Sequence, residues 1–99
     1  MMKYKDWIET LQIVAKYDGG LDKNCVHMWA EHDEHGISFN NKWNLDPKDV
    51  RRLAEMGWGL GSDEEYDEED ANKWENHEEL SDEELVELFS CYNGVYTYE

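Results

Sequence analysis

Four side chains with metal-ligating chemistry fall within eleven residues: Cys25, His27, His32 and His35. Thiolate and imidazole suit zinc, and four such ligands close a structural site. A finger needs a second ligand pair at a set distance, and none follows, so the plainer reading is a half-buried Cys25 and two surface histidines in a turn. A Cys25–His27 nucleophilic dyad lacks an orienting third group and an oxyanion-hole signature. Asp63-x-Glu65-x-Asp67 opens like a calcium loop, but the sixth position is Glu68 where the sharp turn needs Gly. The twelfth position is Trp74 where a bidentate Glu belongs. Gly57-x-Gly59-x-Gly61 lacks both the longer spacing and the lysine of a phosphate loop, and reads as room for the chain to turn after Trp58. These residues point to no metal, no cofactor and no enzyme.

What dominates is charge. Residues 63–87 hold fourteen Asp or Glu opposed only by Lys73, which accounts for thirteen of the sixteen net negative charges. The rest of the chain carries eleven acids against eight bases. Any two of the fourteen carboxylates could be cast as general acid and base, so their pairing carries no information about catalysis. The surface itself is the feature to explain.

Ninety-nine residues form one domain with room for a core. Five Trp, six Tyr and two Phe argue against disorder despite a mean hydropathy of −0.97. Such acidity repels nucleic acid and anionic membrane and attracts basic protein surfaces. The start Met1-Met2-Lys3-Tyr4-Lys5-Asp6-Trp7 has no apolar leader region, and no run approaches a membrane span. Cys25 and Cys91 are too few for a disulfide framework, so the expected setting is a cytoplasm, with both thiols reduced.

The elements that must position the acids read as a small α+β domain, with about three helices on a small antiparallel sheet. Tyr4, Trp7, Ile8, Leu11, Val14 and Ala15 form one helical stripe from about Lys3 to Tyr17, stopped by Asp18-Gly19-Gly20. Cys25 to Glu31 alternates as a strand, His32 to Gly36 is a turn by composition, and Ile37-Ser38-Phe39 returns. Asp46 caps a second helix, with Pro47 at its first position and a Leu45–Val50 staple. Its inner edge is Val50, Leu53 and Met56, Gly57 ends it, and Trp58-Gly59-Leu60 suggests a short strand. Ser81 with Glu84 is a capping box opening a third helix whose inner face is Leu85, Leu88 and Phe89. Val95 to Tyr98 closes the chain as a strand. A competing pattern makes Phe89 to Tyr92 a strand turning at Asn93-Gly94; the start signals favour the helix. The acidic segment 63–79 reads as a loop or short helix, because like charges at i, i+4 oppose helix by roughly 0.2–0.5 kcal/mol a pair. Tyr66 and Trp74 would pin it to the body. The expected common core is Trp7, Leu11, Val50, Leu53, Leu85 and Phe89.

Several pieces together resemble a family of small uncharacterised proteins carried by phages and prophages: Lys16-Tyr17, Ala30-Glu31-His32-Asp33, Asp46-Pro47 with Leu53, and Met56-Gly57-Trp58. They span about half the chain. The family pattern closes soon after its Gly-Trp with a short aromatic strand, whereas here the acidic stretch and a further helix intervene. The resemblance implies a small α+β domain of mobile-element origin and supplies no activity. By analogy, short acidic phage proteins are often inhibitors of host defence, anti-CRISPR proteins and DNA mimics among them.

Two readings of the acids follow. One is a solvated face on a non-enzymatic adaptor or structural protein, with a zinc-stabilised form as its variant. The other is a decoy for the basic groove of a nucleic-acid-binding host protein. Helical carboxylates at i, i+3 or i+4 lie ~5–6 Å apart and extended ones at i, i+2 ~6.7 Å. Phosphates on one DNA strand lie ~3.4 Å apart, so a folded acidic face can approach their density. The expected contact residues are Asp63, Glu64, Glu65, Tyr66, Asp67, Glu68, Glu69, Asp70, Trp74, Glu75, Glu78 and Glu79, the two aromatics adding stacking or cation–π contacts. Concentration of charge favours the decoy, since scattered acids would serve solubility equally well.

The poor ligand spacing predicts that melting curves with and without a strong chelator coincide. A drop of many degrees, or stoichiometric zinc in the purified protein, would revive the zinc reading.

Overall fold

The computed structural model describes residues 2–22, 25–31, 34–39, 44–61 and 67–97, with Glu31 as backbone only. The elements are α1 (Tyr4–Tyr17), β1 (His27–Glu31), β2 (Glu34–Ser38), α2 (Pro47–Glu55), β3 (Gly59–Gly61), α3 (Glu68–Glu75), a 3₁₀ turn (His77–Glu79), α4 (Asp82–Ser90) and β4 (Gly94–Thr97). The strands form one antiparallel sheet in the order β1-β2-β4-β3. The α+β class stands, with four α-helices among the described residues in place of the three expected. Phe89 and Ser90 lie in α4, so the competing strand does not form.

Both expected helix starts are present. Asp46 accepts the Lys48 amide at 2.9 Å, with Pro47 in the first position of α2. The Leu45 and Val50 side chains are both buried, as a staple requires. Ser81 and Glu84 exchange their reciprocal capping bonds at 3.2 Å each. Gly57 has φ +97°, a left-handed conformation that lets the chain leave α2 where a Cβ would be strained. The expected turn at His32 to Gly36 is shorter than its composition suggests. Glu31 pairs with Glu34, so Glu34, His35 and Gly36 belong to β2, while His32 and Asp33 lie outside the described residues.

Cross-strand rows decide what each face of the sheet carries. Met28, Ile37, Val95 and Leu60 lie in one row; the last three are at most 1% exposed and face the helical core. Val50, Leu53, Trp58, Leu85 and Phe89 complete that core, with Trp7 and Leu11 half-buried against it. The neighbouring row, on the opposite face because pleating alternates side chains, is Trp29, Gly36, Tyr96 and Gly59. Here each aromatic covers a glycine. A methyl group at Gly36 would stand 2.0 Å from Cζ2 of Trp29, and one at Gly59 would stand 2.5 Å from the Tyr96 ring. The Trp29 ring also closes on Gly61, 2.8 Å from where its Cβ would be, so the sheet curls until β2 and β3 lie within one indole's width. Gly59 and Gly61 therefore make space on a concave face, beyond letting the chain turn after Trp58.

Helix α1 is rotated from its expected orientation. Its buried residues are Thr10, Ile13 and Val14, while Tyr4 is 93% and Ile8 58% exposed. The reason is a polar residue inside the core. The Thr10 hydroxyl donates to the Asp6 carbonyl at 2.7 Å and accepts the Trp58 indole N–H at 2.8 Å, so its burial leaves nothing unpaired. Trp7 then meets Trp58 edge to face at 5.0 Å between centroids.

Gly36→Ala should destabilise the protein by about 1–3 kcal/mol through overpacking against Trp29. In a Trp29→Ala background the same change should become neutral or stabilising, because only the entropic cost of a strand glycine remains. Thermal or denaturant unfolding of the four-member cycle measures this; equal effects in both backgrounds would place Trp29 elsewhere.

A candidate acidic interface on helices α3 and α4

Within Glu68–Glu75 no two like charges stand three or four residues apart. The acids Glu68, Glu69 and Asp70 gather in the first turn and Lys73 lies in the last, the arrangement the helix dipole favours. Asp67 caps the helix by accepting the Glu69 amide at 3.0 Å. Lys73 stands 3.8 Å from Glu69, one turn earlier. These start signals were available in the sequence, where the sheer number of acids obscures them.

Three contacts tie this segment down. Trp74 is 5% exposed; its indole N–H donates to the Trp58 carbonyl at 2.5 Å and its ring stacks on Phe89. Arg51 donates to the His77 and Leu80 carbonyls at 2.8 and 3.1 Å and to Asp82 at 2.9 Å, clamping the 3₁₀ turn to α2. Tyr92, nearly buried, donates its hydroxyl to Asp70 at 2.6 Å. Burial first, then this bond to a carboxylate, pushes the Tyr92 phenol well above the ordinary tyrosine range, so it remains a donor.

The expected contact residues therefore divide. Trp74 is corrected from a surface contact to a core residue: an indole this well packed and bonded offers no ring to a partner. Asp70 serves Tyr92 and Asp67 serves the helix cap. Glu68, Glu75, Glu78 and Glu79 are exposed and have no ion-pair partner among the described residues, and Glu83 and Glu87 on α4 join them. Asp63, Glu64, Glu65 and Tyr66 lie outside the described residues.

Among the described residues no three His, Cys, Asp or Glu side chains gather to hold a metal. Cys25, His27 and Cys91 are exposed, and His32 lies outside the described residues. A cleft of about 470 Å³ opens between the end of α2, α3 and β3, lined by Trp58, Trp74, Tyr96 and His77 among others. His77 Nδ1 lies 3.1 Å from the Trp74 carbonyl, which needs a proton on that nitrogen, and the buried Nε2 has no hydrogen-bond partner among the described residues. No helix among the described residues is long and apolar enough to cross a membrane.

Two of the motif pieces, Lys16-Tyr17 and Asp46-Pro47, meet at the start of α2. The Asp46 amide donates to the Tyr17 hydroxyl at 2.8 Å, and that hydroxyl donates to the Asp49 carboxylate at 2.6 Å. A capping box normally joins those two groups directly; here a tyrosine from another helix is spliced into it. Lys16 closes on the same carboxylate oxygen at 2.6 Å. Burial alone would raise the Asp49 carboxyl, but the hydrogen bonds from Lys16 and Tyr17 and the Lys16 charge outweigh it and hold the group below its ordinary value. Burial, then the bond to Asp49, raises Tyr17. The role of this cluster is to fasten α1 to α2.

Comparison with family models, with curated proteins and with solved structures gives no match.

A lowered native carboxyl stabilises the fold above its unfolded pKa of about 4 and ceases to do so as pH falls through the native value. Asp49→Asn should therefore cost about 1–2 kcal/mol near neutrality, and the gap should close below about pH 4. For Tyr17, raised in the fold, the sign reverses, and its contribution should fade as pH climbs above about 10. Urea unfolding of parent, Asp49→Asn and Tyr17→Phe across pH checks both; a gap that widens in acid would refute the cluster's role.

Proposed function

We propose that this chain is a non-enzymatic inhibitor of mobile-element origin, whose acidic helical surface occupies the basic nucleic-acid groove of a host protein, a defence nuclease being the favoured class. The observation that carries the reading is the set Glu68, Glu75, Glu78, Glu79, Glu83 and Glu87. All are exposed and without an ion-pair partner among the described residues, in a stretch whose own bases amount to Lys73. Carboxylates borne on helices anchored by Trp74 and Arg51 are positioned before binding, so an arginine-rich groove would meet a formed array. Its counter-ions would be released as they are from phosphate. The phage resemblance supports the host setting, and the cytoplasm of that host is the location it implies.

One observation favours the runner-up. With Trp74 in the core, the described part of the acidic face lacks the aromatic anchor that usually concentrates binding energy. A solvated face on an adaptor protein needs no such anchor.

The test is capture from nuclease-treated bacterial lysate with elution by salt, followed by competition between the chain and DNA or RNA for the captured protein. Changing Glu68, Glu75, Glu78 and Glu79 together to Gln should weaken binding by orders of magnitude, since close interfacial charge pairs are worth roughly 1.5 kcal/mol or more each. Neutralising Asp22, Asp33, Glu34 and Glu55 should matter far less. Equal effects from both sets would mean that only net charge counts. No effect from either, or no competition with nucleic acid, would leave the acids as a solvated face.

A further inference from the structure

The cleft of about 470 Å³ beside α3 has the size of a small-ligand site, about 300–1,000 Å³. Small residues keep it open: Ala54, Gly57, Gly59 and Ala71 all lie on its wall. Trp58 and Trp74, 1% and 5% exposed, can serve only as its floor. Three further residues bring chemistry to it. Tyr96 is half-buried and offers an aromatic ring. Glu75 is exposed and has no ion-pair partner among the described residues. His77 keeps a proton on Nδ1 for the Trp74 carbonyl, and its buried Nε2 has no hydrogen-bond partner among the described residues.

These groups suit one kind of occupant. A carboxylate attracts a cation, and the field of a chain of net charge −16 adds to that attraction. An aromatic ring favours a cation over its face. An imidazole nitrogen without a proton takes only a hydrogen-bond donor, and leaving it buried and unpaired is costly. A quaternary ammonium meets the first two demands and fails the third. A lysine ammonium is a compact point charge, whereas the planar guanidinium carries five N–H donors in a fixed fork and stacks on aromatic rings. It can therefore bond a carboxylate and an imidazole at once. Arg51 already fixes the backbone of His77 by donating to its carbonyl at 2.8 Å, so little ordering is left for binding to do. We infer that this cleft receives an arginine guanidinium, with Glu75 meeting its charge, Tyr96 its face and His77 Nε2 one of its N–H groups. The site rests on the reading of an arginine-rich partner. It supplies that partner with the anchor that the carboxylates of α3 and α4 lack, since arginine is among the residues that concentrate interface energy.

Titration of the intact ¹⁵N-labelled chain with N-acetyl-arginine methylamide, followed by NMR at about 0.15 M salt, tests this without a partner. Shifts should concentrate on Gly59, Ala71, Glu75 and His77, with the His77 Nε2 resonance among them, and saturate at roughly 1–10 mM. The citrulline analogue keeps the shape and loses the charge; tetramethylammonium keeps the charge and has no N–H. Each should bind at least about tenfold more weakly, and Glu75→Gln should cost the arginine probe about as much. Ala71→Leu, which fills the cleft and leaves every carboxylate in place, should abolish binding with an unchanged circular dichroism spectrum. If it fails to fold, Glu75→Gln decides alone. No saturable binding, either analogue binding as tightly as the arginine probe, shifts spread over Glu83 and Glu87 instead, or a folded Ala71→Leu that binds like the parent would overturn the inference. The two readings fail separately. A captured partner that ignores Ala71→Leu but needs the four carboxylates sinks the arginine site alone. A cleft that binds the probe while capture yields no nucleic-acid-binding protein sinks the proposed function alone.

Discussion

Trp74 is the contact on which the acid-rich half depends. Burying a large aromatic contributes roughly 3 kcal/mol at ~25 cal/mol per Å², several times the repulsion of one like-charge pair on a helix. The indole lies on Phe89, and its N–H satisfies the Trp58 carbonyl, which leads into β3. One side chain thus joins α3, α4 and the sheet edge. Arg51 then secures the segment from the α2 side by covering two carbonyls at the 3₁₀ turn. With these in place, the carboxylates are free to face solvent from a fixed backbone.

The open face of the sheet follows a different rule. There, space is made for aromatics by removing side chains: Gly36 and Gly61 receive Trp29, and Gly59 receives Tyr96. Thr10 does for α1 what those glycines do for the sheet. Its satisfied hydroxyl draws that face of the helix inward and leaves Tyr4 and Ile8 outside.

Much of the fold was legible because local chemistry and tertiary structure agreed. Asp46-Pro47 and Ser81-x-x-Glu84 announce helix starts that the structure uses as written. The failures share a physical cause. Periodicity ranks residues by polarity, so it put Ile8 inside α1 and Thr10 outside, although a hydrogen-bonded hydroxyl is buried at no penalty. It could not see that glycines in a strand mark where a distant tryptophan will lie. For the acidic face, counting charges hid their order, since the acids of α3 cluster where the helix dipole welcomes them. Trp74 was named as a pin and also as a partner contact; the structure gives it the first role and takes away the second.

The central claim is that α3 is an ordered, Trp74-anchored platform in the free protein. Amide hydrogen exchange read by NMR tests it most directly. The amides of Lys73, Trp74 and Glu75 should exchange at least about a hundredfold more slowly than in an unstructured chain, as in a stable local unit. In Trp74→Ala that protection should vanish while Leu85 to Phe89 in α4 keep theirs. Exchange of the α3 amides at unstructured rates in the parent protein would contradict it.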